Sequence, residues 1–211
     1  MTAETKPNHW YVIKNQSLAR FANYAGFDLA LYDVYSAAAR QELRKRSISE
    51  AIFSMRNDVD ERFGFDLRDI NKGVYVITLS NGLAVQYQTK PSDIIYIGMG
   101  AIAGRLKNHF QGKLFDFMLG LSGANFDFRF AMPIKNGEAE YYKHVEHLMI
   151  EDFQKTFGGL KGKKYPLMNK NAGSDKKTLQ PGVWWRTPLK MTGKKVKWAL
   201  SPVGGDFGTL D

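Results

Sequence analysis

Two short apolar runs, GVYVITL from Gly73 and DIIYIG ending at Gly98, flank an Asn81-Gly82 dipeptide, and this pairing restricts the fold more than any other feature of the chain. Runs of this length, rich in Val and Ile and bounded by turn residues, read as buried strands. Asn-Gly supplies the positive φ that a tight chain reversal needs. Each run carries a tyrosine beside a glycine, and the second leads into a short helical stretch with Arg105 and His109. A sheet requires none of these polar groups, so they point to a site built on it. NFDFRFAMPI reads as a third strand, and EAEYYKHVEHLMIEDFQKTFG as a helix ended by glycine. The expected class is therefore mixed α/β (α+β).

The rest of the 211 residues divides into three regions without an internal repeat. Residues 17–65 read as helices. Phe27, Leu31, Val34 and Ala38 recur at helical spacing in the first, and a second begins at SISE, where Ser47 and Glu50 have capping-box spacing. Ile52, Met55, Val59 and Phe63 follow along one face. The expected organisation is an N-terminal helical extension over residues 1–70, a central domain over 71–172 and a basic, Trp- and Lys-rich C-terminal arm over 173–211.

Composition bounds the function. With 44% hydrophobic and 24% charged residues, the chain can bury an ordinary globular core. The absence of cysteine excludes disulfides, thiolate metal sites and cysteine nucleophiles. The first residues lack the pattern of a secretory signal, and no run approaches the ~20 apolar residues of a membrane span. A cytoplasmic protein without membrane contact is the expectation. Of the net charge of +9, all but one unit lies after residue 160, where eleven Lys or Arg face three Asp. Such an asymmetry suggests a polyanionic partner, above all nucleic acid. The plain alternative is a solvated tail. Candidate phosphate contacts are Lys107, Lys163, Lys164, Lys176, Lys177, Arg186, Lys190, Lys194, Lys195 and Lys197. Trp184, Trp185 and Trp198 are expected to anchor the arm on the domain, or else to stack on bases.

On the long helix, Ala139, Tyr142, Met149, Ile150, Phe153 and Phe157 fall within about 60° of Glu146 at 100° per residue. One carboxylate therefore sits in the core stripe. Burying it ionised costs several kcal/mol unless it is paired or bound to a metal. An ion pair with an arginine is the ordinary explanation, and a metal-binding carboxylate at the mouth of the core is the functional one. Arg105 and His109, four apart, share a helical face. Arginine suits phosphate oxygens and histidine exchanges a proton near neutral pH, although exposed copies of both are commonly plain surface.

GVY at Tyr75, YIG at Tyr96, Arg105 and His109 on the next helix, Glu146 on a later one and YPLMN ending at Asn169 together resemble, in order and context, the GIY-YIG nuclease superfamily. The resemblance covers about Gly73 to Asn171. It departs from the family in having Val for Ile in the first tripeptide and 21 residues between the two tyrosines, where the family usually has about half as many. The extra length falls in SNGLAVQYQTKPS, read as an extended hairpin or inserted loop. The resemblance implies a small antiparallel sheet flanked by helices and hydrolysis of phosphodiesters with one divalent cation, Mg²⁺ or Mn²⁺. Residue by residue, it implies that Glu146 is the metal ligand, that Arg105 stabilises charge on the scissile phosphate and that Tyr75 activates or orients the attacking water. Tyr96 and His109 would position water and phosphate, and Asn169 would tie the closing segment to the site.

Three function classes follow. The expected one is a metal-dependent endonuclease acting on double-stranded DNA, of a restriction, mobile-element or defence type, with a homodimer as one way of cutting both strands. A second is a catalytically inactive nucleic-acid-binding module on the same fold. A third is dinucleotide binding, suggested by the glycines at 98, 100 and 104 after a strand. It lacks repeated strand-helix units and an acidic residue closing a second parallel strand.

Overall fold

The structure, a computed structural model, describes residues 5–121, 123–160, 164–170, 183–190 and 196–201. Its centre is a four-stranded sheet of β1 (Trp10–Gln16), β2 (Gly73–Leu79), β5 (Ile94–Gly100) and β6 (Phe126–Ala131), in the order β1-β6-β2-β5 with every pair antiparallel. A second, three-stranded sheet holds β3 (Leu83–Gln86), β4 (Pro91–Ser92) and β7 (Trp198–Leu200) in the order β4-β3-β7. The helices are α1 (Leu18–Tyr24), α2 (Ala37–Phe63), α3 (Ile102–Gln111), α4 (Lys113–Gly120) and α5 (Tyr141–Phe157). Helix α5 packs on β2 and β5, α3 touches the same two strands and α2 reaches β1. Among the described residues no helix is long and apolar enough to cross a membrane.

Strand β2 is buried along its whole length, as a central strand covered on both faces must be. Helix α5 buries Tyr141, Val145, Met149, Ile150, Phe153 and Phe157, each buried phenylalanine contributing roughly 2–3 kcal/mol. It begins at Tyr141, so Ala139 lies before it, and it ends at Gly158, whose φ of 79° closes the last turn. Asn81 and Gly82 hold φ of 58° and 84° with Leu83 N–H donating to the Ser80 carbonyl at 3.1 Å, which is the expected tight turn. The turn does not make β2 and β3 partners. It delivers the chain to the second sheet, where β3 pairs with β4 antiparallel and with β7 in parallel. The extra residues between the two tyrosines are therefore a short hairpin.

The N-terminal region departs from its helical reading in three ways. Trp10–Gln16 is an edge strand paired with β6, burying Tyr11 and Ile13 against the sheet. The helix expected around Phe27 to Ala38 is only a 3-10 turn over Leu29–Val34, started by the Asp28 side chain accepting from Ala30 N–H and leaving Val34 78% exposed. Finally, SISE starts nothing. Helix α2 runs 27 residues without a break, capped by Ser36 accepting from Ala39 N–H, and Ser47 is fully buried inside it. The capping-box spacing occurs in mid-helix because the residues before Ser47 are themselves strong helix formers.

After residue 173, two described pieces meet the body. A 3-10 turn, Val183–Leu189, buries Trp185 and Leu189, and Trp10 Nε1 donates to the Trp184 carbonyl at 3.1 Å. Trp184 and Trp185 thus anchor the segment as expected, whereas Trp198 on β7 is 75% exposed.

Candidate functional site

The site begins with register. Tyr75 on β2 stands opposite Gly98 on β5, and Ile77 stands opposite Tyr96. The two tyrosines are therefore diagonal neighbours on one face, within reach of aromatic side chains. Their rings stack at 5.7 Å between centroids and 27° between planes. Glycine at 98 makes that stack possible. A Cβ there would lie 2.4 Å from Tyr96 Cε1 and 2.7 Å from the Tyr75 hydroxyl. Gly73 answers the same need lower down, since its Cβ would meet Ile102 at 2.6 Å where α3 crosses the strand.

Helix α3 leaves β5 directly and lays Arg105 and His109, one turn apart, beside the tyrosine pair. His109 Nε2 is 2.6 Å from the Tyr75 hydroxyl, and its ring stands 4.3 Å from that of Tyr96 at 60°. Arg105 is coupled electrostatically to both tyrosines, which raise its already high pKa against the effect of its burial. The Tyr75 hydroxyl and His109 Nε2 share one proton across this contact, and the imidazole tautomer sets which of them donates. Burial pushes the Tyr75 phenol well above its usual range, with Tyr96 adding to the rise and Arg105 opposing it. Burial, aided by Arg105, lowers His109 to about 4, so its imidazole is neutral at physiological pH.

From the other side α5 brings Glu146, 8% exposed, with Oε2 buried and without a hydrogen-bond partner among the described residues. Burial raises its carboxyl to about 7, Arg105 pulling the other way. Asn169 locks the third side. Its Oδ1 accepts from Ile97 N–H at 3.0 Å and its Nδ2 donates to the Ile97 carbonyl at 2.7 Å, so one side chain occupies the free edge of β5 beside Tyr96. Met168 N–H extends this contact to the Ile95 carbonyl at 2.9 Å, and Tyr87 of the inserted hairpin accepts from Leu167 N–H while donating to the Ile94 carbonyl.

A cleft of about 520 Å³ opens at this junction, lined by Tyr96, Arg105, His109, Glu146 and Asn169. Tyr75, 1% exposed, lies one side chain behind it and meets it through His109 and Arg105. All six expected site residues therefore converge, from β2, β5, α3, α5 and the segment 164–170. Of the expected phosphate contacts, Lys107, Lys164, Lys190 and Lys197 are exposed. Arg186 is paired with Asp152 at 3.0 Å and lines, with Lys90 and Lys190, a separate hollow. Lys163, Lys176, Lys177, Lys194 and Lys195 lie outside the described residues. The sequence reading missed Lys113 and Asn108, which line the cleft itself, as does Lys170 from the start of the basic C-terminal stretch. The charge count pointed away from Lys113, because it falls in the near-neutral part of the chain.

Among the described residues no group of three or more His, Asp or Glu side chains gathers as a metal cluster. One carboxylate still fits a hard cation such as Mg²⁺, which keeps most of its shell as water and substrate oxygens. The orphaned Oε2 of Glu146 is the observation that favours it. The antiparallel central sheet removes the dinucleotide-binding alternative, which needs parallel strands feeding the glycine turn. No family model, no curated protein and no solved structure matches the chain.

Proposed function

We propose that the chain is a divalent-metal-dependent endonuclease that hydrolyses phosphodiester bonds of double-stranded DNA, on a fold of the GIY-YIG type. The observation that carries this reading is the meeting of an arginine, a neutral histidine hydrogen-bonded to a buried tyrosine, and a carboxylate whose Oε2 has no hydrogen-bond partner among the described residues, at one cleft. A phosphodiester resists attack until its charge is offset. Arg105, reaching the cleft as a permanent cation, is suited to that task. Glu146 would hold the cation, Mg²⁺ or Mn²⁺, whose chemistry is to neutralise phosphate charge and to make water more acidic. The water's proton passes to the Tyr75–His109 pair, its oxygen bonds phosphorus, and the ester oxygen departs and is protonated from solvent. Tyr75 cannot shed its own proton to solvent, because burial disfavours the phenolate, and Nε2 at 2.6 Å is the acceptor that makes the exchange feasible. Tyr96 holds the rings in place, and Asn169 keeps the β5 edge that carries Tyr96 from shifting.

One site per chain cuts one strand at a time, so double-strand cleavage calls for a homodimer or two successive nicks. A restriction-type, mobile-element or defence role in the cytoplasm suits such a nuclease. Purified protein incubated with supercoiled plasmid should nick or linearise it with Mg²⁺ and not with EDTA, and sequencing the ends separates a fixed target from random cutting. Binding without turnover in Mg²⁺ or Mn²⁺ would instead identify an inactive module.

A further inference from the structure

We propose that Lys113, at the elbow between α3 and α4, binds the phosphate next to the scissile one, and that Arg44 on α2 is the residue that positions it. The proposal rests on the reading of the cleft as a nucleic-acid site. Lys113 lines that cleft together with Arg105, His109 and Glu146. It is the first residue of α4, where a cation opposes the helix dipole. Among the described residues it has no ion pair. Neither helix stability nor pairing therefore accounts for a lysine at this place, whereas an anionic occupant of the cleft does.

The elbow is held from outside by one side chain. Helix α3 ends at Gln111, and carbonyls in the last turn of a helix lack intrahelical donors. Arg44 Nη2 donates to the Gln111 carbonyl at 3.2 Å and to the Gly112 carbonyl at 3.1 Å. The same guanidinium pairs with both oxygens of Asp116, in the first turn of α4, and lies 4.5 Å from the centroid of Phe115. Arg44 thus ties the end of one helix to the start of the next, while the inner side of the elbow presents Asn108, His109, Gly112 and Lys113 to the cleft. Only a planar fork with several donors can serve carbonyls and carboxylate together, which lysine cannot do. Helix α2 is on this account one wall of the site at a remove.

The test is a double-mutant cycle on affinity, read by fluorescence anisotropy with a short labelled duplex in EDTA across a salt series. Loss of one phosphate contact lowers the salt slope by about 0.9, hence affinity about 8-fold at 0.1 M salt. Lys113→Ala should show both changes. Arg44→Met, which keeps the aliphatic stem over Phe115, should show part of the same loss with an unchanged circular dichroism spectrum. The double variant should bind no more weakly than Lys113→Ala alone, because Arg44 acts through Lys113. If Arg44→Met does not fold, Arg44→Lys, which keeps the charge near Asp116 but not the fork, completes the cycle. A wild-type slope in Lys113→Ala, or multiplicative losses in the double variant, overturns the proposal alone. Absence of duplex binding by the wild type would overturn the nucleic-acid reading with it.

Discussion

Replacing Glu146 by glutamine should stabilise the cation-free protein at alkaline pH while abolishing its activity. The carboxyl is raised from 4.5 to about 7 by burial, with Oε2 lacking a hydrogen-bond partner among the described residues. At 1.36 kcal/mol per unit, the folded protein bears roughly 3 kcal/mol of cost once the group is ionised. The direction follows from proton counting. Between pH 4.5 and 7 the native state keeps a proton that the unfolded chain has lost, so this contribution to stability is complete below pH 4.5 and disappears as pH rises through 7. Glutamine has nothing to lose over that range. In EDTA at pH 8, Glu146→Gln should melt higher by roughly 6–12 °C, taking 2–4 °C per kcal/mol for a chain of this size. At pH 4.5, where both side chains are neutral, the two melting curves should nearly coincide. Adding Mg²⁺ at pH 8 should raise the wild-type midpoint and leave the variant unmoved. The assay is circular dichroism melting of both proteins at matched pH. An equal shift at both pH values, or a lower midpoint for the variant at pH 8, would refute the reasoning.

Tyr75→Phe and Arg105→Ala should each reduce single-turnover cleavage at saturating DNA by ~100-fold or more with binding largely kept, since both act on the chemical step. Tyr96→Phe, which retains the stack, should lose less, and equal rates for Tyr75→Phe and wild type would remove Tyr75 from the mechanism. Gly98→Ala places a Cβ 2.4 Å from the Tyr96 ring, and should destabilise by roughly 1–3 kcal/mol, as overpacking does. A denaturant midpoint equal to wild type would show that the tyrosine stack yields freely. Asn169→Ala strands the Ile97 N–H and carbonyl and should cost about 2–3 kcal/mol, measured in the same way. Its cleavage loss should exceed that of a surface change because the Tyr96 edge loosens.

The strands β2, β5 and β6, the Asn81-Gly82 turn and α5 were legible in the sequence, because each depends on local chemistry, whereas the six candidate site residues were named together only through the family resemblance. Short apolar runs bounded by turn residues, a positive-φ dipeptide and a carboxylate within an apolar helical stripe are properties of a few neighbouring residues. Other features were decided by partners far along the chain. WYVIKNQ becomes a strand only because β6 offers an open edge, and Leu83 continues into a second sheet only because β4 and β7 meet it there. Ser47 shows the limit from the other side. Its spacing to Glu50 is that of a cap, yet helix propensity before it and packing around it carry α2 straight through. In the site, the sequence named Tyr75 and Tyr96 but not their stack, since that depends on the register setting Tyr75 opposite Gly98. It named His109 but not its neutral state, nor Glu146's raised carboxyl, because desolvation is a property of the assembled core and not of any residue's neighbours in sequence. Lys113 and Arg44 were invisible for the same reason: an isolated lysine and one arginine of a basic triplet acquire a role only when tertiary packing brings α2 against the α3–α4 elbow.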